Sequence, residues 1–119
     1  YLVFASDLRG HGKTAGTLDK VGLFAMQDGW NKVVGDVINL SKELDLKYPD
    51  LPLYLLGHSM GSFIARSVAI LCPPEIDGYV FSATAGHPGL IGKVGVHVSN
   101  FNLKLMGKKN RSNMMKMAR

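Results

Sequence analysis

A chain of 119 residues holds one domain at most, and no apolar run in it approaches the roughly 18 residues that a bilayer span needs. Its single cysteine, Cys72, excludes an internal disulfide. That is the pattern of a reducing compartment, so a cytoplasmic location is expected. The net charge of +5 sits in the tail: from residue 90 onward there are seven Lys and Arg and no acid, whereas residues 1–89 carry seven bases against nine acids. A charge so placed says nothing about the core, and no nucleic-acid partner is expected. The chain opens on Tyr1 inside an apolar run, with no initiator Met and nothing resembling a signal peptide. It reads as an internal piece of a longer protein.

Residues 1–5 (Tyr-Leu-Val-Phe-Ala) form a continuous apolar run, expected as a strand buried on both faces of a parallel sheet. The glycine-rich loop Asp7-Leu8-Arg9-Gly10-His11-Gly12-Lys13-Thr14 follows. Gly12, Lys13 and Thr14 imitate the end of a phosphate-binding loop. The first glycine of that pattern would fall at Asp7, whose carboxylate would repel a triphosphate, and Ala15-Gly16-Thr17 continues as loop where a helix should open. His11 reads as a loop histidine satisfied by local hydrogen bonds.

No strong pattern appears over residues 18–27. Asp28 is then a plausible N-cap, and Trp30, Val33, Val34, Val37, Ile38, Leu40, Ser41 and Leu44 recur at helical spacing. They predict an amphipathic helix of about 20 residues whose apolar stripe is core. Tyr48-Pro49 ends it. Gly35 costs such a helix about 1 kcal/mol relative to Ala, which suggests close packing at that point.

The next stretch organises the chain. Pro52 opens an apolar strand over residues 53–56, expected to be fully buried in a parallel sheet, Gly57-His58-Ser59-Met60-Gly61 follows, and Phe63, Ile64, Ser67, Ile70 and Leu71 then fall at helical spacing until Cys72-Pro73-Pro74. A G-x-S-x-G between strand and helix is a nucleophile elbow. The turn pushes the Ser59 hydroxyl out above the sheet, and a Cβ at Gly57 or Gly61 is expected to collide with the neighbouring strand or helix. The backbone N–H of Met60, at the start of the helix, points where an oxyanion would form. Ser59 is the candidate nucleophile. His58, inside the elbow, is expected to pack beside the strand.

A further strand is expected over residues 78–85, bounded by Asp77-Gly78 and Gly86-His87-Pro88-Gly89. Strand, helix, strand, helix, strand is the order of an α/β parallel sheet, and its ligands bind at the strands' carboxyl edge. From residue 87 the texture changes to apolar residues interleaved with Gly, Asn and Lys, followed by Met106, Met114, Met115 and Met117. Three readings stay open there: the start of a helical lid, an ordinary surface segment, or a basic amphipathic stretch in peripheral contact with anionic membrane.

The residues Asp7-Leu8-Arg9-Gly10-His11-Gly12, Asp28-Gly29-Trp30 and the run from Tyr48-Pro49 through Gly57-His58-Ser59-Met60-Gly61 resemble the α/β-hydrolases of the monoacylglycerol lipase and lysophospholipase group, a family also labelled serine aminopeptidase. The resemblance covers essentially the whole chain and is strongest over residues 1–85. It implies a partial, incomplete α/β-hydrolase core over 1–86 and the beginning of a cap or lid over 87–119. It implies Ser59 as nucleophile and Met60 N–H as half of the oxyanion hole. It further implies that the three strands are the fourth, fifth and sixth of eight, with the third lying between the first two of them and supplying the other oxyanion donor, and that the triad acid and base lie beyond Arg119, in the order Ser, Asp, His.

Asp77 and His87 do follow Ser59 in that order. Asp77 precedes its strand, however, so a strand of about 8 residues would hold it roughly 25 Å from Ser59, and His87 has no visible acid partner. The expected function is a serine carboxylester hydrolase forming an acyl-enzyme, with no metal or organic cofactor; the resemblance implies monoacylglycerol or lysophospholipid as substrate. The fragment alone is expected to be inactive. The rival reading is a non-catalytic truncated α/β module that binds lipid through its basic tail.

Overall fold

The structure is a computed structural model and describes residues 1–86 and, beyond them, Gly89, Gly92, His97, Asn100 and Phe101. Two compact units divide the chain: Gln27–Ala85, and Tyr1–Met26 with Gly86–Arg119. Apart from those five residues, the expected cap or lid lies outside the described residues, as do the Met-rich basic tail and His87.

The unit Gln27–Ala85 is built in the order α1 (Gly29–Lys47), β1 (Tyr54–His58), α2 (Met60–Leu71), β2 (Gly78–Ser82). The strands pair in parallel, from Tyr54 opposite Gly78 to His58 opposite Ser82. α2 forms the crossover between them and packs on both, while α1 packs on α2. The amino end is tied by a reciprocal pair: Asp77 N–H donates to the Leu53 carbonyl (2.9 Å) and Leu53 N–H donates to the Asp77 carboxylate (2.7 Å). Ser41 of α1 donates to Glu75 at 2.9 Å, and Trp30 Nε1 donates to Ser67 of α2 at 3.2 Å.

α1 starts and stops where its sequence predicts, but its cap differs. Asp28 sits in the left-handed region (φ 53°) and its carboxylate accepts from the Asn31 side-chain amide at 2.7 Å rather than from a backbone N–H. A Cβ at Gly35 would meet open space among the described residues, so close packing does not account for that glycine. α2 buries Ser62, Ile64, Ala65 and Val68, whereas Phe63, Ile70 and Leu71 of the expected stripe are exposed. Ser62 and Ala65 join Ile64 and Val68 on this face because α2 lies close against β1, where a Cβ at Gly57 would stand 2.9 Å from Ala65 Cβ.

Two strand expectations also change. β1 is covered on its α2 side only: Tyr54 and Leu56 remain 63% and 66% exposed, since no described element lies on their face. β2 ends at Ser82 rather than at residue 85, because Ala83 turns into the left-handed region (φ 49°), where a ladder cannot continue.

In the unit containing Tyr1–Met26, residues 1–8 carry no regular structure and the apolar run at 1–5 is exposed. Among the described residues the sheet pairs β1 with β2 alone, and a run that joins no ladder is not held as a strand. Short 3₁₀ turns follow at Gly12–Ala15 and Leu18–Lys20.

Candidate active site

Ser59 occupies the joint between β1 and α2 with φ 51° and ψ −118°, a conformation that L-residues other than glycine rarely adopt. It is exposed at the carboxyl end of β1. Three hydrogen bonds hold it there. Its own N–H donates to the Ser82 carbonyl of β2 at 3.0 Å, and its carbonyl accepts from the Ser62 N–H at 2.9 Å and the Ser62 hydroxyl at 2.6 Å. Backbone strain of this kind costs on the order of 1–3 kcal/mol and persists only where the surroundings over-determine it.

Gly57 is what lets the elbow close. A Cβ there would overlap the Gly61 carbonyl and stand 2.9 Å from Ala65 Cβ, so α2 could not approach the strand. Gly61 differs from expectation, because a Cβ on it meets nothing within 4 Å among the described residues. Its backbone, not the space at its own Cβ, takes part in the close approach. Met60 is the first residue of α2, which sets its N–H at the positive end of the helix dipole.

The His58 ring is engaged with β2 through Nδ1 and the Ser82 hydroxyl, 3.0 Å apart, in keeping with a strand-packing role. Asp77 binds the Leu53 N–H at the amino end of the sheet, opposite to the end that carries Ser59. It is therefore no partner for this serine. Sequence reading missed Ser62 and Ser82. Ser62 could have been recognised from its place three residues beyond the elbow, where a hydroxyl reaches back to a carbonyl of the preceding turn. Ser82 carries no local signal; only the strand register brings it beside Ser59.

The Asp7–Thr14 loop is satisfied within itself. Asp7 accepts from Lys13 N–H at 2.8 Å, the Thr14 hydroxyl donates to the carbonyls of Leu8 and His11, and His11 Nδ1 lies 3.2 Å from the Arg9 carbonyl. The His11 ring also packs on Phe24, with centroids 5.8 Å apart. The Asp7 carboxylate takes up the Lys13 N–H, and His11 is the locally bonded histidine expected. Among the described residues no group of three or more His, Cys, Asp and Glu could hold a metal ion, and no helix is long and apolar enough to cross a membrane.

A family model described as serine aminopeptidase, S33, matches residues 1–116. The chain belongs to this S33 hydrolase family. Its parallel β1–α2–β2 unit, with a serine at the strand-to-helix joint, is a part of the α/β-hydrolase fold. Among curated proteins this S33 member is similar to the monoglyceride lipases of Mus musculus and Homo sapiens, each 39% identical over 79 residues, or 66% of this chain and 24% of theirs. It is also similar to the monoglyceride lipase homolog of monkeypox virus, 41% identical over 64 residues, covering 54% of this chain and 21% of that protein. The chain therefore spans about a quarter of the length of the first relatives it matches. No solved structure matches it.

Proposed function

We propose that Ser59 is the nucleophile of a serine hydrolase that cleaves carboxylic esters, with monoacylglycerol or lysophospholipid as the substrate class. The observation that carries this reading is the strained, exposed Ser59 at the carboxyl end of β1, held at φ 51° by Ser82 and Ser62. Strain is tolerated at such a position when it aims a reacting group. The names of the similar proteins, monoglyceride lipases, support the substrate class.

In the complete protein a histidine takes the Ser59 Oγ proton as Oγ bonds to the ester carbonyl carbon. The Met60 N–H then donates to the oxyanion, and the alcohol leaves with the proton. Water attacks the acyl-enzyme, and the acid departs as Ser59 regains its proton. The resemblance assigns that histidine and its carboxylate to positions beyond Arg119, and the cap to the chain after Gly86.

The test is Ser59→Ala in the full-length protein, assayed for monoacylglycerol hydrolysis and for labelling by a fluorophosphonate. Both should be lost, turnover by at least about a thousandfold. Wild-type rates in the variant would overturn the assignment.

A further inference from the structure

Arg66 lies on α2, seven residues beyond Ser59, and its guanidinium crosses to the chain that leaves β2. Nη1 donates to the Ala85 carbonyl at 3.2 Å and approaches the Thr84 hydroxyl at 3.5 Å. The first is the stronger bond, a charge-assisted donor on a backbone carbonyl; the second is at the outer limit of a hydrogen bond. Between this clamp and the elbow lies a short, bent piece of backbone. Ser82 accepts the Ser59 N–H, Ala83 turns through φ 49°, and Thr84 and Ala85 are then caught by Arg66.

A non-glycine residue in the left-handed region does not hold itself there. The backbone after Ala83 would relax away unless something fixed its far side. Ser82 fixes the near side through the sheet, and Arg66 fixes the far side from the same helix that the elbow serine begins. The β2 exit is thereby tied on both sides beside Ser59, at the edge of the sheet where α/β proteins bind ligands.

We infer that Arg66 is a positioning residue: through Thr84 and Ala85 it fixes the β2 exit as a wall of the acyl-ester site and so governs how larger substrates are held. The inference rests on the reading of Ser59 as nucleophile. The elbow has its own supports in Gly57, Ser62 and Ser82, so its reactivity toward a small ester does not depend on the clamp. A longer acyl chain lies along the wall and does.

The experiment compares full-length wild type, Arg66→Met and Arg66→Lys on p-nitrophenyl acetate and p-nitrophenyl octanoate, with hydrogen exchange followed over residues 83–86. Arg66→Met should leave acetate kinetics within about twofold and raise KM for octanoate about tenfold, since misplacement by about an ångström costs up to a hundredfold. Arg66→Lys, which keeps one charged donor for the Ala85 carbonyl, should recover part of that loss. Exchange at 83–86 should quicken in Arg66→Met and not in the elbow. Equal losses on both esters with a lowered Tm would reduce Arg66 to a structural role and overturn the proposal, as would unchanged octanoate kinetics or unchanged exchange. A wild-type protein inert toward both esters would instead overturn the Ser59 reading, and with it the substrate part of this one; the exchange data would still decide the clamp.

Discussion

Ser59 and Ser82 are joined across the two strands by a 3.0 Å hydrogen bond, from the N–H of the elbow serine to the carbonyl of the last residue of β2. The bond ties a backbone held out of its favoured region to a parallel ladder that has no freedom to follow it. The hydroxyl is thereby aimed by main-chain geometry, with the helix of Met60 behind it.

Ser59→Gly separates strain from chemistry. Glycine adopts φ 51° without a Cβ penalty, so the variant should gain about 1 kcal/mol of stability while losing ester turnover entirely. Urea denaturation of the full-length protein, run beside the ester assay, checks both. A destabilised Ser59→Gly would mean that the serine side chain, not the backbone, sustains the turn.

Three glycines of this unit, Gly35, Gly57 and Gly61, should respond differently to alanine. Gly57→Ala forces a Cβ into the Gly61 carbonyl and Ala65, an overpacking expected to cost about 1–3 kcal/mol and to reduce turnover by displacing Ser59. Gly35→Ala and Gly61→Ala meet open space within this unit, and each should be neutral or stabilising by up to about 1 kcal/mol from helix propensity. Thermal melts of the three variants rank them.

Asp77 is expected to contribute to stability alone. Removing its carboxylate in Asp77→Ala leaves the Leu53 N–H without its 2.7 Å acceptor, at a cost of about 1 kcal/mol for a bond at the surface. Ester turnover at low temperature should stay near wild type. Loss of turnover without loss of stability would contradict this and give Asp77 a part in catalysis.

The Tyr79 hydroxyl is buried and has no hydrogen-bond partner among the described residues. Burial, with the charges of Cys72 and Glu75 adding to it, raises its pKa above the ordinary tyrosine value of 10.0. The unfolded chain releases this proton first, so the native state holds more protons above pH 10.0 and stability falls as pH rises through that range. Tyr79→Phe should flatten this alkaline loss and be neutral or stabilising by up to about 1 kcal/mol at neutral pH. Denaturation curves on both sides of pH 10 test the two halves of the statement.

The elements legible in the sequence were those written in local pattern. The 3.6-residue recurrence from Trp30 to Leu44, the stop at Tyr48-Pro49, the strand before Gly57 and the helix after Ser59 each depend on neighbours within a turn or two, so α1, β1, α2 and the elbow are all found where the pattern places them. The same is true of His11, bonded within its own loop. What tertiary structure decided were the relations between residues far apart in the chain. The face of α2 was chosen by its approach to β1, which selected Ser62, Ala65 and Val68 over Phe63 and Ile70. The run at residues 1–5 has strand composition but joins no β-ladder among the described residues. Ser82, Asp77 and Arg66 acquire their roles only when parallel pairing and the α2 crossover bring them beside Ser59, Leu53 and Ala85, because periodicity encodes which residues share a face and only packing determines what that face meets.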